Sequence, residues 1–199
     1  MGEVTSSWRV FPEKVPVQLL LRKGERAEAC LDFVAAGHWY FHAKRKGSAE
    51  GWERAEGLRT RFEVLAEQGN LDAKVLLAGL LLARGEQLPL AVSMLETAAA
   101  GSVPEGMRGL GFLLTRGLGV PADPQRANDM YLAAAELGDG YAAFNLAVNF
   151  YQGNGTGRNY RKFFKWLEAA GSLGIPEAWA MLGSQCAKKV LNVILCVGT

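Results

Sequence analysis

His38 and His42 stand four residues apart in the stretch HWYFH, and Cys30 lies two helical turns before the first of them. On one continuous helix this spacing would put two imidazoles on a shared face near a thiol, and imidazole and thiolate are side chains that ligate zinc. The chain has no H-E-x-x-H pattern, and no carboxylate or second cysteine stands at a supporting spacing. The aromatic residues between the histidines favour a packed helix with two partly exposed imidazoles. Metal binding through His38 and His42 is kept as a second alternative for function, and no metal or cofactor site is assigned.

Other chemistry is weaker still. With 2 histidines in the chain and no Gly-x-Ser-x-Gly or Cys-His signature beside either, nucleophilic hydrolysis is disfavoured and no catalytic residue is assigned. GNGTGRN (153–159) has the composition of a phosphate loop, but it lacks a preceding strand and the Gly-Lys-Ser/Thr ending, so it reads as a connector. Gly109, Gly111 and Gly117 do not fit G-x-G-x-x-G and fall in a helical stretch. Lys44, Arg45 and Lys46 close a helix, where cations complement the macrodipole. Arg158, Arg161, Lys162 and Lys165 share a helical face that could meet an acidic partner or phosphate, although a solvated surface is the simpler reading.

A net charge of +2 over 199 residues is too small to imply a nucleic-acid partner. The 3 cysteines lack paired spacing, which points to a reducing compartment. Val15 to Leu21 is interrupted by Pro16 and Gln18, and Val190 to Val197 is short, so neither a signal peptide nor a membrane span is expected. A cytoplasmic protein follows as the expectation.

The elements that position these residues are legible as a repeat. Leu77, Leu110, Leu146 and Leu182 recur at intervals of 33, 36 and 36 residues. Four residues before each stands Ala73, Gly106, Ala142 or Ala178, and one residue after stands Ala78, Gly111, Ala147 or Gly183. A constant helix with an elastic loop is the mark of a helical-hairpin repeat. The hairpins read as Leu71–Arg84 with Leu88–Ala100, Val103–Arg116 with Pro124–Leu137, and Gly140–Gln152 with Tyr160–Ala170, and a further helix opens at Pro176. Gly69, Gly101, Gly138 and Gly174 mark the junctions.

Upstream, Pro12 and Pro16 oppose helix, so residues 1–24 read as an extended leader that caps the array through Trp8, Val10 and Phe11. Glu25 to Lys46 reads as one helix and Trp52 to Glu67 as a second, together a degenerate hairpin at 25–69. Repeats occupy about 70–187, divided near 101, 138 and 174. A C-terminal helix or tail fills 188–199, where Leu191, Ile194 and Leu195 offer an apolar surface to a second copy if no eighth helix covers them.

The residues A-x3-LG (Gly106, Leu110, Gly111; Ala178, Leu182, Gly183), GLGV-x2-D-x3-A (Gly117 to Val120, Asp123, Ala127) and YLAAAELG (Tyr131 to Gly138) carry a likeness. Over about 62–187 the chain resembles the Sel1-like repeat family, relatives of the tetratricopeptide repeats. It departs where the first unit lacks the G-x-G loop, where Ala147 replaces glycine and where Phe163 replaces a small residue. The resemblance implies an all-α fold, a right-handed α-solenoid of stacked antiparallel helical hairpins. It also implies a non-catalytic adaptor that holds a protein partner or, alternatively, an immunity or chaperone-like protein that neutralises a cognate toxin or effector.

Carrying over the tetratricopeptide pattern, positions five and two before, and two, five and six after, each motif leucine face the concave side. The partner-binding residues expected from this are Glu105, Arg108, Phe112 and Arg116 in the second unit, and Tyr141, Phe144, Tyr151 and Gln152 in the third. The competing reading puts Phe112, Phe144 and Tyr151 in the core between repeats. No nucleic acid, membrane or cofactor is expected as a partner.

Overall fold

The computed structural model describes residues 15–185 and contains eleven helices and no strand among them. These are α1 (Val17–Ala29), α2 (Phe33–Arg45), α3 (Ala49–Gly57), α4 (Arg59–Glu67) and α5 (Leu71–Arg84), followed by α6 (Leu88–Ala100), α7 (Pro104–Arg116) and α8 (Pro124–Glu136). The array continues with α9 (Gly140–Gln152), α10 (Tyr160–Ser172) and α11 (176–185). The fold is an all-α solenoid.

Local chemistry sets the helix limits. Asp32, Ser48, Asn70, Asp123, Asp139 and Asn159 each cap a helix by accepting a hydrogen bond from the N–H three residues on, at 2.8–3.0 Å. The helices α5, α7 and α9 stop at Gly85, Gly117 and Gly153, whose φ values of 69°, 66° and 79° put them in the left-handed region. One junction differs from expectation. Gly101 is right-handed, with φ −81°, and Ser102 takes the positive φ instead, 60°. Gly101 is small for another reason, since a Cβ there would land on the side chain of Leu71.

Each helix packs on the next, so α5 pairs with α6, α7 with α8 and α9 with α10, while α6 meets α7 and α8 meets α9. The first helices of successive pairs also touch, α2 with α5 and α5 with α7, and form an inner layer. The repeat motif shows how the stacking works. A Cβ on Gly106 would lie 2.7 Å from the Ala98 Cβ in α6, and one on Gly111 would lie 2.9 Å from the Tyr131 ring in α8. The first glycine thus faces the preceding pair and the second faces its own partner helix. Leu110, 3 % exposed, fills the space between the two crossings. Leu77 and Leu146 are buried alike, and Ala73, Ala78, Ala142, Ala147 and Ala178 are fully buried at the matching positions.

A polar chain fixes the next crossing. Asn149 donates its side-chain amide to the Asn128 carbonyl oxygen at 2.7 Å, and Asn128 donates to the Asn154 backbone carbonyl at 2.9 Å. Both asparagines are buried, and the two bonds in series tie α8, α9 and the following loop together. That loop is GNGTGRN. Asn159 caps α10, and Gly155 sits against the Pro124 backbone, so the glycines serve close chain packing.

The N-terminal region departs most from the sequence reading. Residues 17–24 are helical, because α1 begins directly after Pro16, whose φ of −58° suits a position just outside a helix start. The stretch 25–46 is broken at Leu31, which has φ 60°, and Asp32 starts α2 afresh. The stretch expected as one helix from Trp52 is two, α3 and α4, meeting at Leu58. Trp8, Val10, Phe11, Cys186 and the tail 188–199 lie outside the described residues.

Truncating the central leucine tests the packing account. Leu110→Ala is expected to lower the unfolding free energy by about 2–5 kcal/mol, read as a reduced urea midpoint with an unchanged slope.

Candidate functional site

The inner layer borders an open cavity of about 620 Å³. From α2 it is lined by His38, Phe41, His42, Lys44 and Arg45, and from α5 by Val75, Leu76, Gly79, Leu82 and Ala83. Glu105, Arg108, Gly109 and Phe112 of α7 form the opposite wall, and Asp139, Tyr141 and Asn145 close one end.

Asp139 organises that end. One of its carboxylate oxygens caps α9 by accepting from the Ala142 N–H at 2.9 Å, and the other accepts from Arg108 Nε at 2.8 Å. The Arg108 and Asp139 side chains are only 23 % and 8 % exposed. Burial pulls the Arg108 pKa down, but the Asp139 charge and hydrogen bond, with Glu105 and Tyr141, outweigh it and hold the guanidinium above its ordinary value. Its Cζ also lies 5.8 Å from the centre of the Tyr141 ring.

A second guanidinium reaches the same ring from across the groove. Arg45 Cζ, at the end of α2, lies 4.2 Å from the Tyr141 centroid, within cation–π range. Beside it, the Lys44 ammonium lies 4.4 Å from the Trp52 ring centre and 5.8 Å from that of Phe41. Burial first, and the like charge of Arg45 second, lower the Lys44 pKa.

The eight residues expected to face the groove divide evenly. Glu105, Arg108, Phe112 and Tyr141 line the cavity, whereas Arg116, Phe144, Tyr151 and Gln152 stand outside its lining. Phe144 is half-buried against the core. Tyr151 is drawn to α10, with its ring 5.1 Å from that of Phe163 and 5.9 Å from that of Tyr160. Arg116 is exposed, with its guanidinium 5.6 Å from the Phe112 ring. Gln152 is exposed, and its backbone carbonyl accepts from Arg158 Nε at 3.3 Å.

The α2 lining residues Phe41, Lys44 and Arg45 are absent from the sequence-based set. A signal for them exists in the cap. Leu77, Leu110 and Leu146 each lie seven residues after the helix cap, and the same count from Asp32 reaches Trp39, which is 5 % exposed. Two, five and six residues beyond Trp39 are Phe41, Lys44 and Arg45.

The two histidines share α2, and His38 Nε2 lies 3.9 Å from Asp72 Oδ1. Cys30 does not share their face, because it is exposed at the end of α1 and the chain reverses before α2. Among the described residues no group of three or more His, Cys, Asp or Glu side chains is placed to hold a metal. Nor is any helix among them long and apolar enough to cross a membrane.

The family model described as Sel1 repeat matches residues 104–139 and 140–175, which are the α7–α8 and α9–α10 pairs with their junctions. The chain contains two Sel1 repeats. Solved Sel1 structures share its architecture. A Sel1 repeat protein from Oxalobacter formigenes superposes with a TM-score of 0.54 at 24 % identity, over 58 % of this chain and 90 % of that one. A protective antigen of uropathogenic Escherichia coli, c5321, with the same fold gives 0.56 at 23 % identity, over 86 % of this chain and 49 % of its own. Cysteine-rich protein B of Helicobacter pylori gives 0.50 at 20 % identity, over 68 % and 98 %. Comparison with curated proteins finds no match. At these identities the likenesses establish the Sel1-type helical solenoid as the fold.

Asp139→Ala removes a helix cap and the Arg108 partner together. It is expected to cost about 3 kcal/mol in chemical denaturation, whereas Arg108→Met, which leaves the cap in place, is expected to cost about 1 kcal/mol less.

Proposed function

We propose that this protein is a non-catalytic interaction module whose inner groove holds a segment of a protein partner. The observation that carries this reading is the lining of the 620 Å³ cavity, in which Phe41, Phe112 and Tyr141 stand among Arg45, Arg108 and Lys44. Aromatic and arginine side chains in a concave site are the residues that dominate binding energy at protein interfaces. Phe112 supports it independently, since it lines the cavity with 43 % of its surface still open to solvent. The helical-repeat architecture, whose stacked pairs present an extended concave surface, supports the same reading. The groove serves as the contact surface in this reading whether the role is that of an adaptor or of a toxin-neutralising protein.

Affinity capture with mass spectrometry, using wild type beside Phe112→Ala and the outer-face control Arg161→Ala, tests the reading. Recovery of the principal partner is expected to fall at least about tenfold for Phe112→Ala and to stay unchanged for Arg161→Ala. Equal recovery by all three would place the contact surface elsewhere.

A further inference from the structure

Three cations line the groove from two helices distant in the chain, and among the described residues two of them lack an acidic partner. Arg108 is matched by Asp139 at 2.8 Å, with Glu105 within electrostatic reach. Lys44 and Arg45 are different. Among the described residues neither forms an ion pair with a carboxylate, although Arg54, Arg59, Arg84 and Arg126 all do. They are held instead on aromatic faces, Arg45 on Tyr141 and Lys44 on Trp52. Adding the distances of Arg45 and Arg108 to the Tyr141 ring centre, 4.2 and 5.8 Å, puts their Cζ atoms no more than 10.0 Å apart. Like charges gathered in a concavity with low-dielectric walls focus a positive potential. Burial first and the like charge of Arg45 second lower the Lys44 pKa.

We propose that the end of the groove bounded by Lys44, Arg45 and Tyr141 receives Asp or Glu side chains of an acidic, apolar-flanked segment of the partner protein. This rests on the groove being the partner site and adds the partner's chemistry. A carboxylate seated between Arg45 and Lys44 gains charge-assisted hydrogen bonds from both. The neighbouring apolar stretch of Val75, Leu82 and Phe112 takes the flanking residues, and it belongs to the same cavity. The other basic cluster does not offer this combination. Arg158, Arg161, Lys162 and Lys165 are all exposed on the loop and helix before and along α10, and none of them lines the cavity.

A random dodecapeptide display library selected on the wild-type chain provides the probe. The selected pool is expected to be enriched in Asp and Glu over the input. By fluorescence anisotropy, Arg45→Glu should raise the Kd of the dominant peptide at least about tenfold and Arg45→Gln about threefold or more. Arg161→Glu should leave it unchanged. Circular dichroism checks that each variant keeps its helices, and Lys44→Gln and Arg45→Gln decide the matter if the charge reversal does not fold. A pool of neutral or basic peptides whose binding is lost on Phe112→Ala would sink the acidic-segment inference and leave the groove reading standing. Binding indifferent to both Phe112→Ala and the Arg45 variants, or no selected peptide at all, would overturn both. Competition by a single-stranded DNA oligonucleotide at lower concentration than by the peptide would assign the cations to phosphate and reject the proposal.

Discussion

Gly106 against Ala98, and Gly111 against the ring of Tyr131, are contacts that a methyl group on either glycine would obstruct. They let α7 approach two helices at once, α6 behind it and α8 beside it. Leu110, between the two glycines in sequence, is buried in the core that these approaches close. The alanines around Leu77 and Leu146 repeat the arrangement with one methyl more. A helix pair of this size has one apolar face per helix and no core of its own, so its stability resides in these shared crossings. The inner layer and the cavity it surrounds are consequences of where the small residues sit.

The cavity in turn depends on the junctions between pairs. Asp139 caps α9 with one oxygen and holds Arg108 with the other, so the start of one inner helix is tied to the middle of the one before it. A capping residue is needed at that position for the helix alone. Its second bond costs the fold nothing more in desolvated carboxylate, and it orients a guanidinium along the groove wall. Scaffold and lining are built here from the same side chain.

The architecture was legible because its cause is periodic. Leucines at intervals of 33 and 36, flanked by alanine and glycine, report a packing rule that the chain applies several times over. The N-terminal helices were harder to read because the rule is met there by different residues. Trp39 takes the leucine position, and Tyr40 takes the small position by lying on Gly24 of α1. The break before α2 rests on Leu31 at positive φ, where no glycine marks it. Half of the expected groove residues line the cavity and half do not, and the division has a physical origin. Tyr151 finds a better partner in Phe163, a large residue where the repeat usually has a small one. Phe144 sits at the position that Arg108 occupies in α7, but it is apolar and packs inward. A helical wheel gives direction and leaves out competition from the neighbouring helix.

The contact between Arg45 and Tyr141 joins helices that are far apart in the chain. In an open solenoid each unit touches only its neighbours, and the inner face breathes as small rotations accumulate from joint to joint. A strut between α2 and α9 subtracts that freedom. It ties the atypical first units to the regular repeats across the groove. A repeat array with such a cross-link has a path between its ends that does not run through every joint, and that path passes through the cations.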